Sequence, residues 1–177
     1  MRGKEMLLFH KVPGTNWVGD YILPLNVLKE VSPSAHHHAR SKYQGREGRP
    51  EEPVPPLGCT WGDTINLSAI HPAVMGKTLW ECWVSNAPYF AFEISIFKLD
   101  LTKLAVFEFH QDDIFRPGTY RMFESSDREQ QAVICEATQA YYRECAACGE
   151  RPFRFQGVPH FLYLGKIDIR GLRMVSG

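Results

Sequence analysis

Cys145-Ala146-Ala147-Cys148, followed by Gly149, is the most compact reactive group in the chain. Two thiolates at that spacing can share one tetrahedral zinc, and the glycine permits a tight turn beside it. A structural zinc needs four ligands, and the further candidates Cys135, His110 and His160 stand at no recognised paired spacing. Reduced, inert thiols are therefore the first expectation, zinc the second and a redox pair the third, since a redox motif follows a strand and opens a helix. His36-His37-His38 offers three imidazoles, but consecutive helical positions point about 100° apart and cannot converge on one ion. A solvated surface run is expected there. Arg40, Lys42, Arg46 and Arg49 cluster around Tyr43, a basic stretch with an aromatic inside it that can follow a phosphate backbone. Glu47, Glu51 and Glu52 interrupt it, so an ordinary mixed surface competes with nucleic-acid contact. No Gly-x-Gly-x-x-Gly, Walker loop, Gly-x-Ser-x-Gly or His-Glu-x-x-His occurs, which removes the most recognisable nucleotide, hydrolase and zinc-protease mechanisms.

These residues need elements to hold them. An apolar run over 6–12, closed by Pro13-Gly14, predicts a buried strand with His10 near its end. Ser32-Pro33-Ser34 supplies an N-cap and a first-turn proline for a short helix over 35–43. Residues 45–58 are polar and proline-rich and predict a long loop of the kind that serves an active or binding site. A strand over 61–67 follows, then a helix from His71-Pro72 to about Trp83 with Val74, Leu79, Cys82 and Trp83 on its apolar side. Residues 89–97 and 103–109 are rich in β-branched and aromatic types and should pair, with 6–12 in the same sheet. A helix is expected over 127–142, with acidic residues in its first turn, and a final strand over 159–169. Strands and helices interleaved without repeated βαβ units predict a single α+β domain with a mixed, largely antiparallel sheet.

The 177 residues suit one domain, and a hydrophobic fraction of 44% supplies one sizeable core. Twenty basic and 20 acidic residues cancel, so binding to nucleic acid or an anionic surface would have to be local. No run approaches the roughly 18 apolar residues of a membrane helix. No cleavage site precedes the first strand, and the five cysteines are odd in number and scattered, so a cytoplasmic protein without a disulfide framework is expected.

In chain order, Leu8-Phe9-His10, then Gly45-Arg46 with Pro53-Val54-Pro55, then the run Asp63-Thr-Ile-Asn-Leu-Ser-Ala-Ile-His-Pro-Ala-Val-Met75 are followed by Phe92-Glu93-Ile94 and Ala105-Val106-Phe107. Asp127-Arg128-Glu129-Gln130-Gln131-Ala132 comes last. This order, across roughly 6–135, resembles the ADP-ribosyltransferase fold and most of all the DarT-type enzymes that use NAD to modify DNA bases. The resemblance implies an ADP-ribosyltransferase-like fold and a cleft in which His10, Arg46 and Ser68 bind NAD, with Arg46 and Glu129 catalytic. Where the family keeps its glutamate the direct match is Ala132, so Glu129 or Glu136 takes the role after a local shift. Breaking the nicotinamide–ribose bond creates an oxocarbenium-like centre that such a carboxylate stabilises, while His10 would hydrogen-bond the ribose and Arg46 hold the pyrophosphate. The expected function is transfer to a nucleic-acid or protein acceptor, or nucleotide binding by a catalytically degenerate relative. The alternative is a non-enzymatic interaction module, zinc-stabilised through Cys145 and Cys148, whose aromatics (Trp17, Trp61, Trp80, Trp83, Phe153, Phe155) build a core and a partner surface.

Overall fold

A computed structural model describes residues 5–13, 18–83, 89–127 and 133–177. The chain is α+β, and every strand pairing among the described residues is antiparallel. A three-stranded sheet runs in the order β1 (Leu7–Lys11), β6 (Phe90–Ser95), β11 (Arg173–Ser176). A four-stranded sheet runs β5 (Thr64–Leu67), β9 (His160–Leu164), β7 (Leu104–Glu108), β8 (Thr119–Met122). Two small ribbons accompany them, β2 (Tyr21–Ile22) with β10 (Ile167–Asp168) and β3 (Pro53–Val54) with β4 (Cys59–Thr60).

Core clusters lie on both faces of each large sheet, which is why β1, β7 and β9 read as near-continuous apolar runs. Leu8, Ile94, Leu104, Val106 and Phe161 point into a shared core between the sheets. On the opposite face of the three-stranded sheet, Phe9 and Ala91 meet α3 (Pro72–Trp83) and α4 (Glu136–Cys148) through Met75, Leu79, Cys82 and Tyr142. Ala105, Phe107 and Leu162 face the other way, towards α1 (Leu25–Val31), Tyr43 just beyond α2 (Pro33–Ser41), and Trp61.

The local signals that held are short-range ones. Ser32 caps α2, its hydroxyl accepting from Ala35 N–H with Pro33 in the first turn, and α3 opens at Pro72. Its buried side uses Met75, Leu79 and Cys82, whereas Val74 is exposed, because the spacing of four and three residues selects that stripe. Strands 90–95 and 104–108 do not pair with each other. The first pairs with β1 and β11, the second with β8 and β9, so the single sheet expected for 6–12, 89–97 and 103–109 is two sheets. Residues 45–58 are ordered into two 3-10 turns, Arg49–Glu51 and Pro55–Leu57, around β3, not a structureless loop. A 3-10 turn, Trp61–Asp63, precedes β5 and shortens the strand expected there. Of the helix expected over 127–142, Asp127 is helical, 128–132 lie outside the described residues, 133–135 are not helical, and a helix then runs from Glu136 to Cys148. The tail carries three strands, because Gly165 and Gly171 at positive φ break one long run into turns. No helix among the described residues is long and apolar enough to cross a membrane.

Candidate functional site

Among the described residues the two large sheets are joined by a single bridge. Phe9 N–H donates to the Ser68 carbonyl at 2.7 Å, and Ser68 N–H donates to the Phe9 carbonyl at 2.9 Å. One residue further along β1 the His10 ring takes over, its Nδ1 lying 2.9 Å from the Asn66 carbonyl oxygen. A cavity of about 1190 Å³ opens at this parting of the sheets, bounded also by the end of α2, the turn that follows it, and the 151–156 segment beyond α4.

The Asn66 carbonyl can only accept, so His10 Nδ1 carries the proton and Nε2 is left as an acceptor. Burial lowers the His10 pKa to about 4, against the pull of the Asn66 carbonyl and with a contribution from Lys42. The ring is therefore neutral at pH 7. Ser68 is buried, with its hydroxyl accepting from Ile70 N–H at 3.1 Å, and it lines the same cavity. Behind it, Tyr43 Oη accepts from Trp61 Nε1 at 3.2 Å and from Asn66 Nδ2 at 3.4 Å. Asn66 Oδ1 is buried with no partner among the described residues. A wall position holding such an atom suits a ligand donor.

Arg46 reaches the cavity from the turn after α2. Its guanidinium lies 4.4 Å from the Phe153 ring centre and donates to the Lys42 carbonyl at 3.4 Å. Arg49 stacks 3.8 Å from Trp61 and 4.5 Å from Phe107, and it pairs with Glu52. Glu52 also accepts from Tyr120 Oη at 3.4 Å and is the one carboxylate on the cavity wall among the described residues. Lys11, Lys42, Arg151 and Arg154 also line the cavity. His160 stands edge-on to Trp61, Phe109 and Phe155 at 5.5, 5.9 and 6.4 Å between ring centres. Burial, then Arg49, lowers its pKa to about 3, with the Pro159 carbonyl opposing and Arg46 and Lys42 adding to the shift.

Three of the sequence-predicted site residues, His10, Arg46 and Ser68, thus share one cavity wall although they come from distant segments. Glu129 lies outside the described residues. Glu136, the other carboxylate considered, opens α4 exposed to solvent, pairs with Arg143 and is not on the wall. Lys42, Tyr43, Arg46 and Arg49 line the cavity, Lys42 and Arg46 while exposed to solvent, whereas Arg40, which pairs with Glu51, does not line it. His38 of the histidine run also reaches the wall. Sequence reasoning missed Lys11, Asn66, Arg151 and Arg154 as site residues and named His160 only as a zinc candidate. The alternation Arg151-Pro-Phe-Arg-Phe155, basic and aromatic, was the available signal.

All five cysteines are free, with Cys145 buried and Cys148 exposed on the last turn of α4. No group of three or more His, Cys, Asp or Glu residues placed to hold a metal ion occurs among the described residues. Comparison with family models, with curated proteins and with solved structures gave no match.

Proposed function

We propose that this chain is an ADP-ribosyltransferase-like protein that takes NAD into the cavity between its sheets and transfers ADP-ribose to a nucleic-acid or protein acceptor. The observation that carries the reading is the shared wall: His10, Arg46 and Ser68 line one cavity whose charge is almost wholly cationic and whose sides are aromatic. A dinucleotide offers what such a wall can hold. Its ribose hydroxyls can donate to His10 Nε2, its pyrophosphate can take the fork of Arg46, and its rings can stack among Trp61, Phe109 and Phe155. In the reaction the bond from ribose C1′ to the nicotinamide nitrogen breaks, and its electron pair leaves with the neutral nicotinamide. The acceptor then bonds to C1′ and gives up its proton. Glu129 is the carboxylate proposed to stabilise the cationic centre and take that proton.

Calorimetric titration with NAD, paired with an assay for released nicotinamide, tests both halves. His10→Ala and Arg46→Ala should each weaken NAD binding by about tenfold. Glu129→Gln should abolish nicotinamide release and leave binding intact. Binding without release in the unaltered chain makes it a degenerate nucleotide binder. No heat with NAD, together with a melting temperature that a chelator lowers, favours the zinc-supported interaction module instead.

A further inference from the structure

One row of cross-strand neighbours runs the width of the four-stranded sheet. Tyr120 on β8 lies opposite Phe107 on β7, and Phe107 lies opposite His160 on β9. On β5 Leu67 lies opposite Phe161, so Ser68, one step on, comes level with His160, and the bridge to Phe9 carries the row to β1. Strands lie about 4.8 Å apart, so Tyr120 and Ser68 stand roughly 14 Å from each other across the sheet. Each end of the row brings a hydrogen-bond acceptor to the cavity wall. At the β1 end it is His10 Nε2, left open because Nδ1 is engaged by the Asn66 carbonyl. At the β8 end it is Glu52. Its Oε2 accepts from Arg49 and from Tyr120 Oη, the latter at 3.4 Å, and its backbone carbonyl accepts from Trp61 N–H at 2.8 Å. Arg49 in turn lies 3.8 Å from the Trp61 ring centre and 4.5 Å from that of Phe107, which pins the ion pair against the row. Glu52 Oε1 has no partner among the described residues. Arg49 already answers the charge of this carboxylate, so what Oε1 offers a ligand is acceptance of hydrogen bonds and not a pull on a cation.

A dinucleotide has two riboses joined through a pyrophosphate, and each presents a pair of hydroxyl donors. Resting on the NAD reading above, we propose that Glu52 Oε1 accepts from the hydroxyls of one ribose while His10 Nε2 accepts from those of the other, so that the two sugars are read at opposite ends of the row. Glu52 then determines specificity, and a mononucleotide satisfies one end only. A ligand lacking the hydroxyls covers Oε1 without giving it a donor, which costs more than a missing contact.

The test is calorimetric titration of the full chain with NAD and with two NAD analogues, each lacking the 2′ and 3′ hydroxyls of one ribose. Each analogue should bind the unaltered chain about tenfold more weakly than NAD. Glu52→Gln keeps the shape of the side chain, but Arg49 holds the amide oxygen and leaves the NH2 group in the place of Oε1, a donor where an acceptor stood. It should cost NAD about tenfold and cost nothing further with one of the analogues, because the hydroxyls it served are already gone. His10→Ala should show the same silence with the other analogue. Glu52→Gln without effect on NAD, or with the same loss for both analogues, overturns the second ribose site and leaves the NAD reading standing. Silence of both substitutions with the same analogue also overturns it, since one sugar would then meet both acceptors. Failure of NAD to bind the unaltered chain removes the proposal and the reading beneath it together.

Discussion

His10 and His160 are the two histidines whose protonation the fold shifts most strongly among the described residues. Both are neutral in the folded chain, with pKa values lowered to about 4 and about 3 mainly by burial. In the unfolded chain the same rings take up protons near 6.5. Between those values the unfolded state binds more protons, so the contribution of each ring is fully present above pH 6.5 and is lost as the pH falls. His10 has given up its share by about pH 4 and His160 by about pH 3. The share is on the order of 3 kcal/mol for His10 and of 5 kcal/mol for His160. Urea unfolding at pH 7, 5.5 and 4 should therefore show a falling midpoint. His160→Phe, which keeps a ring among Trp61, Phe109 and Phe155, should flatten that fall. A midpoint unchanged between pH 7 and pH 4 would contradict the burial of both rings. His10 and Arg46 were legible as candidates because type and segment order are properties of the chain. Asn66 was not, since its role depends on which strand stops pairing with which.

At the scale of elements, the turn between α4 and β9 sets where Phe155 and His160 meet the cavity. Gly157 holds a positive φ of 73° in that turn, and a Cβ there would lie 2.1 Å from Thr138 Oγ1 and 2.7 Å from Ile114 Cγ2. Thr138 is fully buried and donates to the Gln156 carbonyl, and Gln156 Nε2 donates to the Ile114 carbonyl, so neither neighbour moves without loss. Gly157→Ala combines left-handed backbone strain with that clash and should destabilise the chain by about 2 kcal/mol or more. Denaturant titration reads the difference, and a change under about 0.5 kcal/mol would sink the argument. The α2 cap and the α3 stripe were readable in advance because capping and periodicity act within a few residues. The partners of 90–95 and 104–108 were not. The second is apolar on both faces and the first carries Phe90, Phe92 and Ile94 on one face, and neither pattern specifies which sheet receives the strand.

For the whole molecule the total charge is zero, yet the charges are sorted. Glu51, Glu81, Asp100, Glu136 and Asp168 form ion pairs at exposed or partly exposed positions, while the cavity wall gathers cations around Glu52 alone among the described residues. Composition reports the sum and hides this sorting, which is why the local gathering of cations did not show in the net charge. The bridge between Phe9 and Ser68 has a consequence of its own. Its two amides are each other's partners across the boundary of the sheets, so neither proton can be replaced by deuterium from solvent until the boundary gives way. The β6 amides lie inside the three-stranded ladder and need a larger opening. Phe9 and Ser68 should therefore exchange at one common rate, faster than β6. A bound dinucleotide touching both sheets should slow that shared rate and leave β6 unchanged, so two NMR resonances would time the parting of the molecule's halves.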